Sequence, residues 1–141
     1  MTAKEFLQQY RDAVLIADRL RNEYEKELIL IDAVRSVSDN DGMPHGSGIN
    51  KPTEEKAVKL ADKALELKDA ELEAIRIRQK VFDVIQTIPG DQGVILYERY
   101  INLKSWEEVA STVGYSKRHV YNIHKEALDS VKHFLLLHSI I

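Results

Sequence analysis

The stretch SWEEVASTVGYSKRHVYNIHKEAL, Ser105 to Leu128, decides the fold of this chain. Ser105 followed three residues later by Glu108 is a capping-box pattern, so a helix opens there around Trp106. Gly114 is the one residue in the stretch that takes a left-handed backbone at no steric cost, so that helix ends beside it. Ser116 then stands where the next helix would be capped. Two short helices crossing steeply need a small residue at their closest approach and apolar residues on both sides of the turn. Ala110 meets the first need. Val109, Val113, Val120 and Ile123 meet the second. The joint spacing predicts a helix-turn-helix, in which the second helix faces a DNA major groove and the first braces it.

The second helix sorts into two faces. Val120, Ile123, Ala127 and Val131 point inward. Lys117, Arg118, Tyr121, Asn122 and Lys125 lie on the other side. Arg118 has the fork that pairs bidentately with guanine, and Asn122 the amide that does so with adenine. Lys117 and Lys125 suit phosphates, which add affinity without sequence information. Tyr121 suits a thymine methyl or a phosphate. Amides beside Ser116, at the helix opening, suit a phosphate as well. The predicted DNA-binding set is therefore Ser116, Lys117, Arg118, Tyr121, Asn122 and Lys125.

Outward from this stretch, the chain reads as all-α. Thr2 with Glu5 forms another capping box, and a helix is expected from Thr2 to Val34, about 50 Å long. Phe6, Tyr10, Ala13, Ala17, Leu20, Tyr24, Leu28, Ile31 and Val34 form its heptad-like stripe. Residues 36–52, SVSDNDGMPHGSGINKP, read as a loop rich in Gly, Ser and Pro. Thr53 is expected to cap a second long helix whose stripe is Val58, Ala61, Leu65, Leu72, Ile75, Phe82 and Ile85, interrupted by Lys68 and Gln79. The helix ends at Pro89–Asp91. Two such helices fold back as a long antiparallel hairpin. The expected domains are thus 1–89, the hairpin with its loop, and 90–141, the helix-turn-helix. In the latter Asp91 is expected to cap a helix carrying Val94, Ile95, Tyr97, Tyr100 and Ile101.

The net charge of −3 excludes a generally basic nucleic-acid coat protein, and leaves open a local DNA-binding face. Residues 90–141 hold six Lys and Arg against six Asp and Glu, so such a face must come from segregation of charge. There is no cysteine, which fits a reducing cytoplasm and removes thiolate metal sites. The charged N-terminus shows no signal peptide, and the longest apolar run, FLLLHSII, is too short for a membrane helix. His119, His124, His133 and His138 lack the three- or four-residue spacing that sets two ligands on one helical face, so no metal or cofactor is expected. Within Gly42–Gly48, amides near Gly46–Gly48 with His45 resemble an anion nest, but the Gly-Lys-Ser/Thr ending of a P-loop is missing, and a connector is the plainer reading. In the tail, Leu128, Val131, Leu135 and Leu136 are expected to pack on the small domain. Phe134, Leu137, Ile140 and Ile141 are left to cover the hairpin, a second subunit or RNA polymerase.

Residues 93–134, GVILYERYINLKSWEEVASTVGYSKRHVYNIHKEALDSVKHF, resemble region 4 of sigma-70-type transcription factors. The matching pieces are ERY, SWEEVA, VGYS and HKEAL, over roughly the last third of the chain. The resemblance implies that Lys117, Arg118, Tyr121 and Asn122 occupy recognition positions and Ser116 the helix-opening one. The family often carries an acidic residue where Arg118 stands and an arginine where Tyr121 stands, so its promoter sequence is not carried over. No room remains for the region that melts promoter DNA. A coiled-coil-like N-terminal half before such a module resembles small phage and prophage regulators, some of them activators of late genes.

The expected function is sequence-specific DNA binding in transcription regulation, cytoplasmic and, as that resemblance implies, phage or prophage encoded. Double-stranded DNA is the expected partner, with RNA polymerase and a homodimer as further candidates and no membrane. The alternatives are a small terminase-like subunit for phage DNA packaging and a helical adaptor that binds no DNA. No nucleophile–base pair is legible, so an enzyme is not expected.

Overall fold

The computed structural model describes residues 1–40 and 50–140, and the side-chain surroundings of 1–33 and 54–140. Within these residues the chain is all helical: α1 (Ala3–Asn40), α2 (Asn50–Ile85), α3 (Gly90–Leu96), a π-helical turn (Tyr97–Ile101), α4 (Trp106–Val113) and α5 (Lys117–Leu137). Among the described residues no helix is long and apolar enough to cross a membrane.

The long helices extend further than their sequence suggests. α1 continues through Ser36–Asn40, and α2 begins at Asn50, so the expected loop at 36–52 is shorter at both ends. Thr53 accordingly lies inside α2 and is not its cap. Pro52 is compatible with this because the first helical turn needs no amide donor there. The anion-nest reading of Gly42–Gly48 falls outside the described residues. At the other end of α1, Thr2 and Glu5 form the full reciprocal box: the Thr2 amide donates to Glu5 Oε2 at 3.0 Å, and the Glu5 amide to Thr2 Oγ1 at 3.1 Å.

The contacts divide the chain into Met1–Val14 with Glu73–Ile141, and Leu15–Leu72. These groups do not follow the 89/90 boundary expected from the sequence. In the Leu15–Leu72 unit, α1 and α2 run antiparallel, as the cross-helix ion pairs require. Arg21 meets Glu71 at 2.8 Å, and Glu27 meets Lys59 and Lys63 at 3.3 and 3.5 Å. The Lys59 hydrogen bond, above all, holds the Glu27 carboxyl below the usual carboxylate range. Ala17 and Ile31 are buried on α1, as its stripe predicts, whereas Leu28 is partly exposed.

The α2 stripe is different. Val58, Leu65, Leu72 and Ile75 are all exposed. Within the Leu15–Leu72 unit, the half-buried residues of α2 are Leu60, Lys63, Ala64, Leu67, Ala70 and Glu71. Among the described residues α1 is the only other helix in this unit, so α2 turns this face toward it.

The other unit has two apolar clusters. In the first, Phe6 and Leu7 of α1 pack with Val81, Val84 and Ile85 of α2, Leu96, Tyr100, and Ala127, Val131 and Leu135 of α5. The second gathers Ile95, Val109, Ala110, Val120 and Ile123, with Trp106 and Val113 half-buried against it. α3 supplies both, Leu96 to the first and Ile95 to the second, because adjacent helical residues point about 100° apart. Its start corrects one expectation. Asp91 is not the N-cap; Pro89 holds that position and makes no side-chain cap. The Asp91 carboxylate instead accepts a 2.8 Å hydrogen bond from the Tyr115 hydroxyl. In the tail, Val131 and Leu135 are buried, Leu128 and Phe134 pack against the first cluster, and Leu136, Leu137 and Ile140 are exposed. Burial of Leu136 is thus not observed, and Phe134 lies against the cluster of its own unit.

Candidate nucleic-acid interface

The connection between α4 and α5 is built by local hydrogen bonds. Ser105 Oγ accepts the Glu108 amide at 3.2 Å and opens α4. Gly114 closes it with φ 74°. The amides of Gly114 and Tyr115 both donate to the Ala110 carbonyl, at 2.9 and 3.2 Å. Ser116 Oγ then accepts the His119 amide at 3.2 Å and opens α5. The hydroxyl of Ser116 is therefore engaged as a cap, and what it offers a ligand is the first-turn amides behind it.

Val120, Ile123, Ala127 and Val131 are all buried, so the inner face of α5 is the one its sequence predicts. Ser116, Lys117, Arg118, Tyr121, Asn122 and Lys125 are all exposed. At 100° per residue, the five α5 side chains share one arc of somewhat less than half the helix circumference. Further along α5 the same arc carries Asp129 and then Lys132, both exposed.

These side chains are not equally available. Lys117 Nζ lies 2.6 Å from Glu107 Oε1, an ion pair between the two helices. Each partner's shift follows mainly from that contact: the lysine is raised and the carboxyl lowered. Tyr121 packs edge-on against Trp106, ring centroids 5.2 Å apart. Among the described residues no ion pair or side-chain hydrogen bond engages Arg118, Asn122 or Lys125.

Sequence reasoning missed the layer behind this arc. Trp106 is its hub, with Arg99 4.5 Å above the ring and His124 edge-on at 4.6 Å. Arg99 also donates to the Lys104 carbonyl at 2.8 Å, and Glu98 pairs with Lys104 at 2.6 Å. These bonds fix the linker Asn102–Ser105, in which Leu103 takes a positive φ of 57°. Tyr100 and His124 share a 2.7 Å hydrogen bond. Burial raises the Tyr100 hydroxyl to about 12 and lowers His124 to about 4, so both are neutral near pH 7. The signal for this layer was faint: an aromatic inside a capping box, and a histidine whose helical phase matches Val120, Ala127 and Val131.

The His124 shift makes a pH prediction. Its folded value lies below the ordinary histidine value of 6.5, so the folded chain binds fewer protons there than the unfolded chain. The stabilisation is complete above pH 6.5 and is lost as pH falls towards about 4. Urea unfolding should show a loss of roughly 1–2 kcal/mol over that window, allowing for solvent screening. A His124→Gln variant should show a flatter profile; equal slopes for both chains would contradict the assignment.

Comparison with protein-family models, curated proteins and solved structures gives no match to this chain. Among the described residues no group of three or more His, Asp or Glu is placed to hold a metal ion.

Proposed function

We propose that this chain is a sequence-specific DNA-binding transcription regulator, with α4 and α5 acting as a sigma region 4-like helix-turn-helix carried on a long antiparallel helical hairpin. One observation carries this reading: the six residues chosen from sequence lie exposed at the start of α5, while the intervening apolar residues are buried. Arg118 and Asn122 read base edges, Lys125 holds a phosphate, and the amides after Ser116 hold another. The likeness to phage and prophage regulators suggests promoters of such a genome as targets.

The reading is tested by titrating the protein against random-sequence duplexes, selecting the tightest, and measuring affinity for selected and bulk DNA across a salt series. Selection of a defined site, with affinity falling steeply as salt rises, supports it. Equal weak binding to every duplex, or none, refutes it.

Glu107 adds a second expectation. In free protein it neutralises Lys117, so a phosphate reaching Lys117 must displace a carboxylate. Glu107→Gln should tighten binding to selected and bulk DNA alike, by about three- to tenfold at low salt, with the gain shrinking as salt rises. A gain confined to the selected site would place Lys117 in base reading instead.

A further inference from the structure

Trp106 is where the exposed arc of α5 meets the rest of its unit. Three groups press on its ring. Tyr121 packs edge-on, with centroids 5.2 Å apart and an interplanar angle of 72°. His124 packs edge-on at 4.6 Å, and the Arg99 guanidinium lies 4.5 Å from the ring centroid. The last two are tied down in turn. Arg99 donates to the Lys104 carbonyl at 2.8 Å, and His124 shares a 2.7 Å hydrogen bond with Tyr100. Trp106 itself packs half-buried against the cluster that contains Val109, Val120 and Ile123. The indole therefore has a fixed place, and Tyr121 leans on a fixed wall.

Tyr121 stands at the border of the arc. At 100° per residue it lies about 60° from buried His124 on one side and about 60° from exposed Arg118 on the other. It remains 42% accessible, so part of its ring meets Trp106 and part meets solvent. A hydroxyl bonding a phosphate oxygen tolerates a mobile ring. Contact with an apolar group does not, because dispersion attraction fades over a fraction of an ångström. A ring braced from behind is what apolar contact demands.

We propose that Trp106 is a positioning residue, holding the Tyr121 ring to recognise the C5 methyl of a thymine in the major groove. The inference rests on the reading of α5 as a DNA-binding helix and names one of the bases it reads. The thymine methyl is the apolar group that base edges present in that groove. A ring already held in place loses little side-chain freedom on meeting it. Trp106 acts through Tyr121 and need not touch DNA, much as a supporting residue locks the rotamer of a binding side chain.

The test uses the full chain and the duplex selected from random sequence. Each thymine in turn is replaced by uracil, which removes only the methyl. The natural chain should lose about three- to fivefold in affinity at one thymine. Tyr121→Phe should keep that preference, since the hydroxyl is not used. Tyr121→Ala should bind the thymine and uracil duplexes alike. Trp106→Leu fills the core but offers no ring. It should cut the preference to less than about twofold while discrimination at the other base pairs persists, and Trp106→Phe should restore it. The brace is also read without DNA or variants. In the free chain, the ring current of Trp106 should displace the Tyr121 ring protons from their random-coil nuclear magnetic resonance positions. Absence of any preferred duplex would overturn the DNA reading and this inference with it. A preferred duplex with no uracil-sensitive thymine, or a preference lost in Tyr121→Phe, would overturn the methyl assignment alone. Random-coil Tyr121 shifts, or Trp106→Leu weakening all base pairs equally, would overturn the positioning role.

Discussion

Replacing Arg118 and Asn122 together by alanine should abolish discrimination of the selected site while leaving the fold intact. Both side chains are exposed, and neither has an ion-pair or hydrogen-bond partner among the described residues, so their loss creates no cavity and strands no buried group. Each bidentate base contact is worth about 1–3 kcal/mol of discrimination. The two residues lie one turn apart on α5 and share a face, so their contributions need not add. A combined loss of about 3–4 kcal/mol, several-hundred-fold in affinity for the selected duplex, is expected, with bulk DNA affected far less. Fluorescence anisotropy on selected and scrambled duplexes measures both. Lys125→Ala provides the contrast: it should weaken both duplexes similarly and reduce the salt slope by about one. Unchanged affinity of the double variant for the selected site would remove α5 as the reading element.

Gly93→Ala should be the most damaging single methyl addition in the Glu73–Ile141 segment. A Cβ at Gly93 would fall on the carbonyl oxygen of Ile88, with the Ile88 carbonyl carbon at 3.2 Å. Both are backbone atoms, so no rotamer change relieves the contact, and α3 must move away from the turn that precedes it. Movement of α3 disturbs both apolar clusters at once, because Leu96 packs in one and Ile95 in the other. A loss of about 2–4 kcal/mol in urea unfolding is expected. Gly90→Ala is the control. Its backbone has φ 68°, but nothing lies within 4 Å of an added Cβ. Only conformational strain remains there, costing about 1 kcal/mol. Equal losses at the two glycines would mean that the close approach at Gly93 does not exist.

Both expectations depend on geometry of different legibility. The caps at Thr2, Ser105 and Ser116 and the left-handed Gly114 were readable because each is decided by hydrogen bonds spanning three or four residues. The inner face of α5 was readable because Val120, Ile123, Ala127 and Val131 recur at one helical phase. His124 shares that phase, yet its polarity hid it; only the Tyr100 hydroxyl and the Trp106 ring make its burial tolerable. Lys117 was legible as a cation at the start of α5. Its pairing with Glu107 was not, since ten residues and a turn separate them.

The two long helices mark the limit most clearly. The sequence by itself determined that both exist, that α1 opens at Thr2, and that α2 carries an apolar stripe from Val58 to Ile85, interrupted by Lys68 and Gln79. It also determined which residues of α5 are polar and on one arc. Only the tertiary structure decided which face of α2 meets α1, that Asp91 bonds Tyr115 rather than capping α3, and that the first turns of α1 share a core with α5. Periodicity reports that an apolar stripe exists, but it carries no information about which neighbour covers it. That choice is made by the fit of side-chain volumes between segments distant in the chain.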